Sequence, residues 1–253
     1  MFAAKLVNWK GNFRKEANRG LTPLGKEAIV WLANAGILTD ITHMSDQSRK
    51  DAIAWMEENQ IPPLSTHDGF KPIQNHPRGM EEEDVLRIYQ NGGMISLPVS
   101  GYSVMPYRPS PFYENQLKQL PCYCSGSIDT YKFTYLAVQD FIRRQIPQIF
   151  KNPNSEYQTL TESEKVAVSV GFQTDFNGWV NHHRPRYGKK GCYPVKQDSI
   201  YEAVDLQGLA HPGLMASHWK ILANEGVDLE PLKRASERFL QLWEKVRRRT
   251  KLE

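Results

Sequence analysis

Residues 20–70, GLTPLGKEAIVWLANAGILTDITHMSDQSRKDAIAWMEENQIPPLSTHDGF, contain two helix–strand units in succession. In the first unit, Thr22 offers a capping hydroxyl, Pro23 suits the first helical turn, and Gly36 is placed to end the helix. The β-branched run at residues 36–43, GILTDITH, predicts a short buried strand directly after it.

The second unit and the rest of the chain continue this alternation. Ser45 or Asp46 caps a helix that extends to about residue 58. The remaining patterns predict strands at residues 63–67, 92–99 and 165–171, and helices at residues 81–90, 131–150, 214–225 and 231–248. Residues 100–126 are rich in proline and tyrosine, which predicts a long irregular loop. This loop begins an insert that spans residues 100–163.

Strands that alternate with helices of this length predict an α/β fold with a parallel sheet. Two architectures satisfy the pattern, a doubly wound open sheet and a closed (β/α)8 barrel of the TIM type. No internal repeat divides the sequence, so we expect residues 1–253 to form a single domain that contains the insert.

Composition excludes several classes of protein. The chain has 253 residues, a net charge of +4 and 40% hydrophobic residues, which is ordinary for a globular protein with a real core. The basic excess lies partly in the tail at residues 245–249 and forms no broad stripe, so we expect no nucleic-acid partner. No apolar run is long enough to span a bilayer, and the first residues lack the apolar core of a signal peptide.

Potential metal ligands follow three of the four predicted strands. His43 ends the first strand, His67 ends the second, and Asp175 lies a few residues after the fourth. Sites in parallel α/β folds are built at the carboxyl ends of strands, and two imidazoles with a carboxylate suit a borderline cation such as zinc. Each residue alone is more simply a hydrogen-bonded strand end, but the three together favour a metal site.

Several motifs resemble the membrane dipeptidase (renal dipeptidase) family of metallopeptidases. They are GLTPLGKEAIVWLANAGILTDITHMS at 20–45, STHDGF at 65–70, HPRG at 76–79, NGGMISL at 91–97 and VGFQTDFNG at 170–178. The order and spacing of these motifs make the combination specific. The resemblance implies a (β/α)8 barrel with a two-zinc site that hydrolyses dipeptides or related amides.

The resemblance also implies a role for individual residues. His43 and His67 match the histidines that hold the second zinc, and Asp175 matches the carboxylate that ligates the first zinc and handles the proton of the attacking water. Arg78 matches the arginine that binds the carboxylate of the substrate, a task suited to the guanidinium fork. Asn177 stands where many relatives have a second aspartate.

Other parts of the family pattern are missing. The family's first strand carries a His-x-Asp pair and its third supplies a bridging glutamate, yet this chain has no histidine before His43. The match therefore implies only the last four βα units of the barrel plus the insert. We expect at most one tightly bound zinc ion per chain. The alternatives are an inactive remnant or interaction module, or one part of a split or truncated dipeptidase.

Expectations about partners and compartment follow from the same observations. A half-barrel would leave strand edges at residues 37–41 and 166–170 open and its inner face exposed, so we expect a homo-oligomer or a complementing N-terminal chain. The expected substrate is a small dipeptide. Cys122 and Cys124 are one residue apart, which argues against a disulfide framework and, by default, for the cytoplasm. Zinc binding by Cys122 and Cys124, together with either His182 and His183 or Cys192, is the weaker alternative, because C-x-C is not the usual zinc-finger spacing.

Overall fold

The computed structural model describes residues 19–76, 79–100, 105–177 and 181–249. The strands are β1 (Leu64–Ser65), β2 (Met94–Pro98) and β3 (Val170–Gln173). The helices are α1 (Pro23–Asn34), α2 (Asp46–Glu58), α3 (Glu82–Gln90), α4 (Pro111–Lys118), α5 (Ile128–Ile149), α6 (Glu162–Ala167), α7 (Ala203–Gln207), α8 (Met215–Asn224), α9 (Glu230–Lys233) and α10 (Ala235–Arg247). Two short 3-10 helices, Tyr157–Thr159 and Pro212–Leu214, complete the assignment.

The strands form one parallel sheet in the order β1-β2-β3. Leu64 pairs with Met94, and Ile95 pairs with Val170, so β2 is the central strand. Helices connect the strands, as parallel pairing requires. The α/β class with a parallel sheet is confirmed, and the sheet has three strands in the described part of the chain.

The strand predicted at residues 36–43 is wrong. Only Asp40 pairs with the sheet there, through a single parallel bridge to Leu64. Its carboxylate accepts a hydrogen bond from the backbone N–H of Thr42 at 3.0 Å, and His43 follows with a φ of 69°. A side-chain turn of this kind ends an extended segment, so the chain turns away before a full strand can form.

The strand predicted at residues 165–171 begins too early. Thr161 and Glu164 form a capping box, which starts helix α6 and carries residues up to Ala167 into helical conformation. Strand β3 then begins only at Val170. The valines at 166 and 168 suggested a strand, but the local capping signal overrides their β propensity.

Helices cover both faces of the central strand. Alternate residues of a strand point to opposite faces. Ile95 and Leu97 belong to the main core cluster, whereas Met94 packs in a second cluster. That second cluster consists of Leu64, Met94, Ala235 and Leu242, and therefore joins the start of the sheet to helix α10. We expected the inner face of a half-barrel sheet to be exposed. This expectation is wrong for β2, because all five of its residues are buried.

The insert is part of the core. Helix α4 lies in the segment expected to be an irregular excursion, and α5, with 22 residues, is the longest helix in the described part of the chain. Helix α5 packs against α3 and contributes buried side chains such as Tyr131, Tyr135 and Phe141 to the main cluster. The insert therefore helps to close the core around the sheet.

A disulfide joins Cys124 to Cys192, and Cys122 has a free, exposed thiol. The expectation against disulfides is wrong for this pair, because the fold brings together two cysteines that are 68 residues apart. The bond also removes Cys124 and Cys192 as zinc ligands, since a metal binds the thiolate.

Among the described residues, every helix is too short or too polar to cross a lipid bilayer.

Candidate metal centre

His43 and His67 meet at the carboxyl ends of the first two extended segments. His43 lies three residues beyond the bridge at Asp40, and His67 lies two residues beyond β1. Their Nε2 atoms are 2.7 Å apart, and the rings pack edge to face with centroids 4.6 Å apart. His43 is exposed and His67 is half-buried. Two imidazole nitrogens thus converge at the edge of the sheet where parallel α/β folds build their sites.

The backbone at two predicted ligands is in the left-handed region. His43 has a φ of 69° and Asp175 a φ of 49°. A non-glycine residue there costs about 1 kcal/mol or more, and such residues cluster at functional sites. Four other described residues share this feature, so it supports a site at His43 and Asp175 only in combination with the chemistry of their side chains.

A network of hydrogen bonds surrounds His67. Its Nδ1 lies 2.7 Å from the Oγ1 of Thr66, and that hydroxyl donates to the carboxylate of Asp40. On the other side, buried Asp68 accepts hydrogen bonds from the N–H of His43 at 3.4 Å and the hydroxyl of Ser65 at 3.1 Å. Burial raises the pKa of the Asp68 carboxyl to about 6, against the opposing effect of these donors.

Asp175 does not join the two histidines. It is half-buried in the loop after β3 and accepts a hydrogen bond from Asn177 at 3.0 Å. Within the described ranges, no three His, Cys, Asp or Glu side chains are close enough together to hold a metal ion. The structure therefore brings together two of the three predicted ligands.

The chemistry of the histidine pair suits a metal, and its geometry needs a small change. Zinc binds imidazole nitrogen at about 2.0–2.1 Å, which places two nitrogens of a tetrahedral site about 3.3 Å apart. The observed 2.7 Å separation would have to increase by about 0.6 Å. A rotation of the exposed ring of His43 can supply this change, so His43 and His67 fit as two ligands of a borderline cation.

Arg78 lies outside the described residues, and the two residues that follow it are held by hydrogen bonds close to the histidines. The N–H of Met80 donates to the carbonyl of Gly69 at 2.8 Å, just after β1. Buried Arg49 donates to the carbonyl of Gly79 at 3.0 Å and pairs with Asp84 at 2.9 Å. Met80 is thus attached to the chain that follows His67.

Sequence reasoning missed the polar residues that support the pair. Asp40 and Thr66 precede the two histidines by three residues and one residue, yet they showed no signal as site residues. Their role depends on hydrogen bonds between segments 26 residues apart. A carboxylate or hydroxyl just before each ligand is the only local sign that could have indicated them.

A parallel α/β sheet with converging histidines at its carboxyl edge defines a class of protein whose sites are suited to metal ions. Within that class, the sequence model of the membrane dipeptidase family (peptidase family M19) matches residues 1–157, which is more than half of the chain. The chain belongs to this family.

The individual relatives are distant. Two uncharacterized dipeptidases of Schizosaccharomyces pombe are 22% and 25% identical over 81 and 80 residues. Each alignment covers 32% of this chain, and the two alignments cover 19% and 18% of those relatives. The chain therefore matches only a part of the length of its curated relatives.

Solved structures show the same fold over most of the chain. A metallopeptidase from Rhodobacter sphaeroides, liganded with a phosphinate mimic of the dipeptide L-Ala-D-Ala, is 15% identical with a TM-score of 0.50. The match covers 90% of this chain and 48% of that one. An amidohydrolase from Pseudomonas aeruginosa matches at the same identity and TM-score, over 91% of this chain and 59% of its own. This chain thus spans about half the length of these structures.

Proposed function

We propose that this chain supplies the second half of a TIM-type (β/α)8 barrel in a zinc-dependent hydrolase of dipeptides or related small amides. The observation that carries the proposal is the convergence of the Nε2 atoms of His43 and His67 at 2.7 Å, with the Nδ1 of His67 held by Thr66. Metal-binding histidines usually have their second ring nitrogen bonded in this way. Family membership supports this reaction class.

The proposal assigns tasks to four residues. His43 and His67 hold the zinc ion through their Nε2 atoms. Asp175 lies apart from the two histidines in this structure, so it would have to move toward them to be a further ligand and to accept the proton of the attacking water. Arg78 binds the carboxylate of the substrate through its guanidinium fork. Bound zinc supplies Lewis acidity toward the scissile carbonyl. The chain binds at most one zinc ion tightly.

The second candidate is a non-catalytic module or one part of a split enzyme. The observation that favours it is the absence of a third metal-ligating side chain near the two histidines in the described part of the chain. A catalytic zinc site normally has three protein ligands. A second polypeptide, such as another copy of this chain or a complementing N-terminal chain, would then supply the rest.

The experiment that tests the proposal is hydrolysis of a dipeptide panel, including L-Ala-D-Ala, by the purified chain with and without zinc. We expect zinc-dependent hydrolysis that His67→Gln abolishes. His211→Gln is the matched control, because His211 is an exposed histidine far along the chain from the pair. Zinc binding without hydrolysis would favour the second candidate. If the chain neither binds zinc nor hydrolyses any dipeptide of the panel, the proposed hydrolase function is wrong and the non-catalytic form of the second candidate is favoured.

A further inference from the structure

The hydrogen bonds behind His67 form a chain with a definite direction. Thr66 Oγ1 lies between the Oδ2 of Asp40 and the Nδ1 of His67, and His67 Nε2 faces His43 Nε2. The hydroxyl of Thr66 donates to the Oδ2 of Asp40, which is an acceptor atom. Because a hydroxyl has one proton, Thr66 gives that proton to Asp40 and must accept from the Nδ1–H of His67.

We propose that Asp40 and Thr66 are positioning residues that fix His67 in its Nδ1–H tautomer, with Nε2 unprotonated and ready to bind a metal. The proton between the two histidines is then placed as well. Since the Nε2 of His67 has no proton, the Nε2–H of His43 donates across the 2.7 Å gap. This inference rests on the proposed function, because the readiness of His67 matters only if it binds a metal.

The surroundings of Asp40 make the substitution Asp40→Asn informative. The Oδ1 of Asp40 accepts from two backbone N–H groups, Thr42 at 3.0 Å and Thr66 at 3.2 Å. Two donors require an oxygen at that position. An asparagine must therefore keep its oxygen there, which places its NH2 group where Oδ2 now faces the hydroxyl of Thr66.

This orientation reverses the chain of hydrogen bonds. The NH2 group of the new asparagine donates to Thr66 Oγ1, so the hydroxyl of Thr66 turns its proton toward the Nδ1 of His67. His67 then carries its own proton on Nε2, the atom that faces His43. A substitution that retains the geometry but reverses a donor is known to impose the wrong tautomer on a histidine. A metal would have to displace that proton before binding.

The first test measures the tautomer without any metal. We would record the ring nitrogen chemical shifts of His67 by NMR at about pH 8, where imidazoles are neutral, with His67→Gln giving the assignment. We expect a protonated Nδ1 and an unprotonated Nε2 in the natural chain and in Thr66→Ser. We expect the opposite tautomer in Asp40→Asn. Thr66→Val, which removes the hydroxyl at nearly constant volume, should give a mixture.

The second test measures zinc affinity by equilibrium dialysis on the same four proteins. We expect Asp40→Asn and Thr66→Val to weaken zinc binding by about 10–100-fold, the usual effect of losing such a partner. Thr66→Ser should bind as the natural chain does. The amide spectrum of each variant shows whether it is folded, and Thr66→Val decides the matter if Asp40→Asn does not fold.

The two tests separate this inference from the proposed function. Should the natural chain have its His67 proton on Nε2, or should Asp40→Asn leave the tautomer unchanged, the positioning role is wrong even if zinc binds. If the tautomers behave as expected but zinc does not bind, the chain of hydrogen bonds from Asp40 through Thr66 to His67 exists and the metal site does not. Equal zinc affinity in all four proteins would also overturn the positioning role.

Discussion

A pair of buried histidines, His183 and His218, predicts that acid destabilises the fold. Their rings stack with centroids 5.3 Å apart, and their exposed fractions are 3% and 0%. None of their four ring nitrogens has a hydrogen-bond partner among the described residues. Burial lowers the pKa of His218 to about 3, and burial together with the neighbouring His218 lowers the pKa of His183 well below its ordinary value.

The sign and size of the effect follow from these shifts. Both folded-state pKa values lie below the unfolded value of about 6.5, so the stability from each histidine is present above pH 6.5 and is lost as the pH falls. From pH 7 to pH 5, protonation of one histidine stabilises the unfolded chain by about 2 kcal/mol, while the ring of His218 stays neutral in the folded chain. His218 therefore accounts for a loss of about 2 kcal/mol, and His183 changes the stability in the same direction.

Urea unfolding followed by circular dichroism at pH 7 and pH 5 measures this loss. Asp68, whose pKa is raised to about 6, changes stability in the opposite direction over the same range, so the natural chain alone is a poor test. The comparison with His218→Phe cancels that background. We expect the pH 7 to pH 5 difference in unfolding free energy to shrink by about 2 kcal/mol in His218→Phe.

The control for this measurement is His211→Phe, because the exposed ring of His211 changes its hydration little on unfolding. It should leave the pH dependence unaltered. An equal pH dependence in the natural chain and in His218→Phe, within about 0.5 kcal/mol, would refute the reasoning. It would mean that His218 is hydrated or protonated in the folded chain.

Three further predictions concern an ion pair, the substrate and the surface. Arg49→Met leaves the buried carboxylate of Asp84 unpaired, so urea unfolding should show a loss of about 3–5 kcal/mol, partly restored in the double variant with Asp84→Asn. Arg78→Lys keeps the charge but loses the bidentate geometry, so it should lower kcat/KM for dipeptides and leave the unfolding midpoint unchanged; an effect below about twofold would contradict the role. Helices α1 and α10 contact each other, and their side chains Trp31 and Trp243 are 58% and 42% exposed, as is typical of a surface that binds another protein chain. Sedimentation at micromolar concentration should therefore show an oligomer, and a stable monomer would contradict this.

The helices followed from local signals in the sequence. Thr22 and Ser45 cap α1 and α2 as expected, with hydrogen bonds from the N–H groups three residues on. Such capping depends on a few neighbouring residues, so one sequence is enough to locate it. The helices predicted at residues 81–90 and 131–150 likewise correspond to α3 and α5.

The strands were harder to predict because their extent depends on partners far along the chain. Residues 36–43 have a strand composition, but the turn made by the Asp40 side chain leaves only one bridge there. Residues 165–167 are helical because of a capping box that begins at Thr161. Burial of His218 was also missed, since its contacts with Tyr131 and His183 come from distant elements.

The candidate site shows the same division between local and distant information. His43 and His67 were predicted at the carboxyl ends of two successive strands, and that placement indicated neighbouring positions. The hydrogen bonds from His67 through Thr66 to Asp40 depend on the orientation of the side chains, and the spacing of residues in the sequence does not specify that orientation. The expected place of Asp175 depended on the loop after β3, whose path a single sequence does not specify.

The most direct test of the account is the zinc content of the purified chain, measured by elemental analysis after equilibration with zinc. We expect the natural chain to bind zinc, with at most one tightly bound ion per chain, and we expect binding to be lost in His43→Gln and in His67→Gln and retained in His211→Gln. Two tightly bound zinc ions per chain, or zinc binding that survives the loss of both His43 and His67, would contradict it.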